Sequence, residues 1–432
     1  MKVENYDVVI VGSGVAGLIC ALTLPINFKI ILVTKKKLKD SNSYLAQGGI
    51  SVCRGKEDKE DFIKDTLIAG HYKNNRKAVE ILVDESEKAI KTLIEKGVEF
   101  TGDEKGLFYT KEGGHRKYRI LYCKDQTGKY IMESLIEKIL KRNNIKIIED
   151  CRFLDIIEKE NNCLGVLVKK EKIFAIKSKF TVLATGGIGG IYKNTTNFSH
   201  INGDGIAVAI RHNIELKDIS YIQIHPTTFY KKENERKFLI SESVRGEGAI
   251  LLNQKLERFT DELKPRDKVT KAILEEMEKD KSEYEWLDFS TIKLNIKERF
   301  PNIYNYLIKN DINPLKDKVP IVPAQHYTMG GIKVDMNSKT SMKNLYAIGE
   351  VACTGVHGKN RLASNSLLES VVFGKRAAYS IIDENNISVY NNIADDIFKN
   401  IAGKILAIKE IDEENKNIIE QRIKEDEFEK TR

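Results

Sequence analysis

Paired cysteines are missing from this chain. Cys20, Cys53, Cys123, Cys151, Cys163 and Cys353 are scattered with no CxxC among them, which argues against a zinc or iron–sulfur site and against a disulfide framework. No metal is expected, and a reducing, cytoplasmic setting fits. No apolar run approaches the roughly 18 residues of a membrane span, and no leader pattern precedes the first strand, so no membrane association is expected. Dense charge of one sign is scarce as well. The net charge of +8 comes from 71 Lys+Arg against 63 Asp+Glu, interspersed along the chain, and the one dense basic run is Lys35-Lys36-Lys37. That distribution describes a solvated surface with modest local attraction for anions, and no nucleic-acid partner is expected. The remainder is an ordinary globular composition: 432 residues, 41% hydrophobic and 31% charged, with a mean hydropathy of −0.36. The chain is too long for one small core and should hold about two or three domains.

One stretch organises the chain: Tyr6 to Gly17, YDVVIVGSGVAG. Val8, Val9, Ile10 and Val11 run without interruption into Gly12, Gly14 and Gly17, and Leu18, Ile19, Ala21 and Leu22 continue at helical spacing. The pattern predicts a buried parallel strand, a tight turn and a helix start. In Gly12-x-Gly14-x-x-Gly17 one glycine makes the turn, one lets the backbone approach a pyrophosphate and one lets helix and strand pack closely. The free N–H groups at the helix start would carry the anion. Lys29 to Thr34 reads as the next buried strand. The acidic residue that often ends it to hold a ribose is lacking; Thr34 and Lys35 stand there, which weakens the case for NAD and leaves FAD open.

Further junctions follow. Ser41 to Val52 is a loop of small and polar residues with Gly48-Gly49, where backbone could lie against a flat ligand. The pattern predicts helices over 58–98 and 129–142, a strand over 145–157 and a hairpin over 163–183 that ends at Thr185-Gly186-Gly187. Two strand-to-glycine junctions suggest one dinucleotide held along its length. Between them, Thr110 to Ile120 packs Glu112, Gly113, Gly114, His115 and Arg116 into a polar turn, which a surface hairpin would explain equally well. From Tyr221 polar residues crowd together: Gln223, His225 and Thr227, then Ser241, Glu242, Arg245 and Glu247, then Arg266-Asp267. Residues 268–310 read as two amphipathic helices around Trp286 to Phe289. Pro320 to Gly331 carries His326, a residue type that in apolar surroundings is more often a satisfied core histidine than a ligand. Asn344 to Ala352 is a third strand-to-glycine junction, with Glu350, and Gly355 to Leu368 leads into an apolar helix. Residues 383–432 hold short helical patterns and a charged end expected to fray.

Taken together, GSGVAG (12–17), AQGGI (46–50), ATGG (184–187), HPT (225–227), SESVRGEG (241–248), PRD (265–267), HYTMGGI (326–332), IGE (348–350) and NRLASNSLLE (360–369) resemble the succinate dehydrogenase/fumarate reductase flavoprotein family. More narrowly, they resemble its L-aspartate oxidase branch. The resemblance covers residues 5 to about 380. It implies an α/β fold: a Rossmann-like, glutathione-reductase-type FAD-binding domain (1–219 and 329–382) interrupted by a mobile α+β capping domain (220–328), with a short helical tail (383–432). Where the family usually continues into a longer helical region, only this tail remains.

The resemblance also implies roles. FAD would contact Gly12, Ser13, Gly14, Val15, Ala16 and Gly17; Lys35, Asn42 and Ser43; Ala46, Gln47, Gly48 and Gly49; and Gly186, Asp204, Glu350, Ser366 and Leu367. Covalently flavinylated members carry a histidine ahead of the AQGG loop, where this chain has Asn42, so the FAD would be noncovalent. Arg361 and His326 would hold one substrate carboxylate, and His225 with Ser241 the other, steadied by Gln223 and Glu242. A guanidinium fork matches a carboxylate bidentately, which a lysine cannot do. Glu112 would face the substrate amine; respiratory members have an apolar or neutral residue there. Arg266 would be the proton donor or acceptor. Because an arginine's ordinary pKa lies above ~12, that needs burial and a carboxylate relay, for which Asp267, Glu242 and Glu247 are the candidates. The implied activity is oxidation of L-aspartate to iminosuccinate, with reoxidation by oxygen or fumarate and a functional link to quinolinate synthase in NAD biosynthesis. The alternatives are a soluble fumarate reductase or succinate dehydrogenase flavoprotein, and a flavoprotein serving only as an electron-transfer partner.

Overall fold

The structure, a computed structural model, describes residues 3–232, 236–385 and 411–431. Its principal sheet runs in the order Ile145–Ile148, Ile30–Val33, Val3–Val11, Ile173–Leu183, Asn162–Lys169, Arg152–Lys159, and Leu345–Ala347 also pairs with Ile173–Leu183. The pairs joining Ile145–Ile148, Ile30–Val33, Val3–Val11, Ile173–Leu183 and Leu345–Ala347 are parallel. Val8, Val9 and Ile10 are fully buried, as a central strand covered on both faces requires. One face packs on helices Val15–Thr23, Thr127–Leu140 and Asn365–Asn385, the other on helix Asp204–Arg211.

The second sheet is antiparallel, in the order Ile222–Phe229, Val319–Thr328, Glu285–Asp288, Ile250–Leu252. It has its own core, drawn from Phe229, Val244, Leu251, Val269, Leu287, Phe289, Phe300, Val319 and Ile321, with helix Arg266–Asp280 laid against strand Ile222–Phe229. Register shifts at Gln223/Ile224 and His225/Thr228 bend that strand, and bulges of this kind re-aim side chains.

Several expectations change. The strand expected over 145–157 is two strands, because Asp150 turns the chain at φ +53, and they lie at opposite ends of the principal sheet. Trp286 to Phe289 does not merely separate two helices: Glu285–Asp288 is a strand, with Pro320 and Leu252 opposite Trp286. The 110–120 turn is no surface hairpin, since Glu112, His115 and Arg119 are buried and Arg119 bridges Asp58 and Asp65. The charged end does not fray in the part described. Ile411–Thr431 is one helix whose Ile419 is fully buried in the core beside Ile206 and Val351. Most of the preceding stretch, 386–410, lies outside the described residues.

Candidate active site

A continuous cavity runs from the Gly12 turn, across the edge of the principal sheet, to the bent strand of the second sheet. At its first end, Gly12 has φ +114, and a Cβ there would sit 2.1 Å from the Ala184 carbonyl oxygen, so only glycine fits. Gly14 precedes helix Val15–Thr23 without a side-chain cap, leaving backbone N–H groups for an anion, although the Val15 N–H also reaches the Ser43 hydroxyl at 3.2 Å. Ser13 and Thr34 share a hydroxyl hydrogen bond of 2.9 Å. Lys35 donates to the His200 carbonyl, Asn202 and Asp204 at 3.0, 2.9 and 2.8 Å. Asn42 bonds Asn197 through its amide nitrogen and accepts from the Phe198 N–H at 3.1 Å.

Gly12, Ser13, Gly14, Val15, Ala16, Lys35, Asn42, Ser43, Ala46, Gln47, Gly48, Gly49, Gly186, Asp204, Glu350, Ser366 and Leu367 all line the cavity. Gly17 does not. A Cβ at Gly17 would stand 2.3 Å from the Gly12 carbonyl oxygen, so its place is behind the turn, where helix and strand meet. Burial raises the Glu350 carboxyl to about 7, although the N–H groups of Thr328 and Gly187 donate to it.

At the other end the cavity is walled by charge. Arg266, the first residue of helix Arg266–Asp280, donates from Nε to Glu242 Oε2 at 2.6 Å and from Nη1 to Gln223 Oε1 at 2.8 Å. The Gln223 amide in turn donates to Asn360 and to the Arg361 carbonyl, so Gln223 lies behind the wall and does not itself line the cavity. Burial alone would raise Glu242, but Arg266 and then Arg245 hold its carboxyl below the usual range. Asp267 turns away to His71 and Asn360, and Glu247 to Thr110 and Arg299. Of the three relay candidates only Glu242 meets Arg266.

His225 and His326 stand edge to face with ring centroids 5.1 Å apart, so the two histidines sit beside each other. Burial, reinforced by Arg266 for His225 and by Arg361 for His326, holds both well below the ordinary imidazole value; they are neutral at physiological pH. Arg361 lies over the Tyr327 ring at 4.5 Å and donates to Ser366 at 2.9 Å. Burial lowers it to about 10, which leaves it cationic. The Ser241 hydroxyl caps helix Glu242–Gly246, and its N–H donates to Gln47.

The polar atoms His225 Nε2 and Arg361 Nε are buried without a hydrogen-bond partner, and both residues line the cavity. Unmatched donors of this kind are costly unless a ligand completes them, and an anionic ligand is what a cationic guanidinium selects. Glu112 enters the same cavity as a buried carboxylate. It accepts from the Ser243 and Ser364 hydroxyls at 2.6 Å each. Burial, then the nearby Glu242, raise its pKa.

Sequence reasoning did not single out Ser243, Ser364, Asn197, His200 or Tyr327. Ser243 and Ser364 fall inside recognised motifs, but their shared partner is 131 and 252 residues away, beyond the reach of any local pattern.

The sequence profile described as FAD binding domain matches residues 7–367. An L-aspartate oxidase of Clostridium perfringens is 54% identical over 399 residues, covering 91% of both chains, and one of Clostridium acetobutylicum is 52% identical over 379 residues, covering 87% of both. This chain belongs to the L-aspartate oxidase family of FAD-binding proteins. Among solved structures, a quinol fumarate reductase of E. coli superposes with a TM-score of 0.86 at 28% identity, covering 94% of this chain and 74% of that one. A Mycobacterium smegmatis Sdh1 structure gives 0.82 at 28%, covering 94% and 73%. The fold is therefore the flavoprotein fold of that wider group, and the cofactor of the family is FAD. No helix among the described residues is long and apolar enough to cross a membrane, and no cluster of metal-ligating residues occurs among them.

Proposed function

We propose that this chain oxidises L-aspartate to iminosuccinate in the first step of de novo NAD biosynthesis. The observation that carries the proposal is the buried Glu112 carboxylate sharing one cavity with Arg361, His225, His326 and Arg266. A plain dicarboxylate asks only for cations and hydrogen-bond donors; a buried carboxylate in the same space suits an ammonium group as well.

Arg361 and the His225/His326 pair take the substrate carboxylates, satisfying the unpartnered nitrogens. Glu112 reads the amine. Arg266 carries the proton at the reacting carbon, with Glu242 as its carboxylate partner. FAD, when bound, supplies the two-electron acceptor. The loop Ala46 to Gly49, which lines the cavity, would hold its ring system, and Asn42, whose amide cannot form a histidyl link and is engaged with Asn197 and Phe198, supports noncovalent binding. Because fumarate has the two carboxylates but no amine, it fits as a reoxidant in the same site, alongside oxygen. The iminosuccinate product would feed quinolinate synthase.

The test is a steady-state assay of the purified yellow protein with L-aspartate and with succinate. A preference for L-aspartate is expected; turnover of succinate with none of aspartate would assign the chain to fumarate reduction or succinate oxidation. Acid denaturation should leave the yellow colour in the supernatant, and flavin fluorescence staying with the polypeptide would refute noncovalent binding.

A further inference from the structure

Glu112 is the one carboxylate in the wall whose oxygens are each met by a hydroxyl and not by a guanidinium. Ser243, in helix Glu242–Gly246, donates to Oε1, and Ser364, ahead of helix Asn365–Asn385, donates to Oε2. Each hydroxyl has its accepting side occupied: Ser364 takes the Gly49 N–H at 3.3 Å, and Ser243 takes the Ser241 hydroxyl at 3.2 Å. A serine hydroxyl has one proton, and in both cases that proton goes to Glu112. Gly48 completes the enclosure. A Cβ there would stand 3.0 Å from Glu112 Oε1, so a larger residue would crowd the carboxylate.

The charges around Glu112 do not fix its protonation on their own. Glu242 and Arg245 face it from helix Glu242–Gly246 and Arg266 from helix Arg266–Asp280; Arg361 lines the same cavity, and His115 shares its turn. Arg266 favours the ionised form but is itself bonded to Glu242, and Glu242 opposes it. Burial also opposes it. Ahead of the more distant guanidinium groups, the pair of short hydrogen bonds favours the charge, because they stabilise a carboxylate more than a carboxylic acid.

We infer that Ser243 and Ser364 are positioning residues for amine recognition: their hydroxyls, one on each oxygen, keep Glu112 ionised and oriented toward the substrate's ammonium group. The inference rests on the reading of Glu112 as the amine contact. It adds that this contact depends on two neutral side chains from segments far apart in sequence, so that aspartate use, and not dicarboxylate use in general, should weaken when either is lost.

The experiment compares the pH dependence of kcat/KM for L-aspartate oxidation and for fumarate reduction in the flavin-loaded full chain, with Ser243→Ala, Ser364→Ala and Glu112→Gln. Ser364 sits at φ +63, and alanine keeps the same backbone demands as serine, so that substitution removes only the hydroxyl. Each alanine should move the acid limb of the aspartate profile upward by about one pH unit, a fall of about tenfold on the acidic side. The acid limb for fumarate should stay in place. Equal movement in both reactions, or no movement in either alanine variant, would overturn the inference. Glu112→Gln separates this from the underlying reading. If Glu112→Gln collapses the aspartate-to-fumarate ratio while the alanine variants leave the limb unmoved, the serines are structural and Glu112 still reads the amine. If Glu112→Gln leaves the ratio unchanged, the reading itself fails and the inference with it. Because the serines act on opposite oxygens, either variant alone decides the question should the other not retain flavin.

Discussion

At the nucleotide end of the cavity the walls are backbone and small side chains, supplied chiefly by the Gly12 turn, the Ala46 to Gly49 loop and the Gly186 junction. At the substrate end they are polar and charged side chains delivered by the second sheet, by helices Glu242–Gly246 and Arg266–Asp280, by the turn that holds Glu112 and by the segment before helix Asn365–Asn385. The first end depends on where the chain can go. The second depends on which charges balance. A flat, polyanionic cofactor can be held by N–H groups and close approach, whereas a small dicarboxylate offers little surface and has to be selected by charge.

The largest effect should come from breaking the first end. Gly12→Ala places a Cβ 2.1 Å from the Ala184 carbonyl oxygen in a left-handed backbone, and neither strand can move aside, because Val11 and Leu183 are paired in the sheet. The purified variant should carry almost no flavin per polypeptide. A normal flavin content would mean that the turn is less constrained than its geometry implies.

Breaking the second end should leave flavin in place. Arg361→Lys exchanges a planar fork for a point charge and should weaken aspartate and fumarate alike by about 1.5–3 kcal/mol, the range for hydrogen bonds to charged groups. Glu112→Gln should cost a comparable amount for aspartate while sparing fumarate. The contrast between these two variants sharpens the comparison: one removes a contact common to all dicarboxylates, the other a contact specific to the amine. An Arg361→Lys variant with unchanged apparent affinity for aspartate would remove that arginine from the pocket, and parallel losses in Glu112→Gln would mean that the glutamate only stabilises its turn.

The same contrast explains what could be read from the sequence. Gly12, Gly14 and Gly17 are neighbours in the chain, and the strand, turn and helix they serve are local, so the nucleotide end was legible down to the packing role of Gly17. The motifs at the substrate end were visible as dense polar clusters, and the family resemblance gave them order. Their pairing was not visible. Nothing in the spacing told that Arg266 would meet Glu242 while Asp267, its immediate neighbour, turns to His71. Nor could it tell that Glu112 lies buried between two serines, since a run such as EGGH reads equally as surface turn. The break at Asp150 escaped because a single residue at positive φ between two strand-like stretches leaves no periodic signature. The charged end looked loose for a similar reason: helix Ile411–Thr431 buries little of itself, and the surface that receives Ile419 is assembled from distant segments.

That helix provides the smallest expected effect and the finest test of the comparison. Asp412 accepts from Arg152 at 2.9 and 2.5 Å and from Asn202 at 2.8 Å; Asn415 donates to Asp204 at 3.2 Å and accepts from Arg211 at 2.6 Å. Asp204 and Asn202 are partners of Lys35, and all three line the nucleotide end. The tail therefore braces that end from outside, through an ion pair whose aspartate side chain is 59% exposed. Exposed pairs contribute about 0–1 kcal/mol, so Asp412→Asn should weaken FAD retention by no more than about fivefold, with the difference shrinking at high salt. At saturating FAD the kinetics for aspartate should be unaltered, since among the described residues the polar partners of the helix are Arg152, Asn202, Asp204, Arg211, Asp218 and Ser220, none of them a proposed substrate contact. Fluorescence titration of the apoprotein with FAD, followed by assay of the reloaded enzyme, separates the two quantities. Loss of aspartate efficiency with unchanged FAD affinity would show that the tail acts on the substrate end, and that the two ends are not built independently.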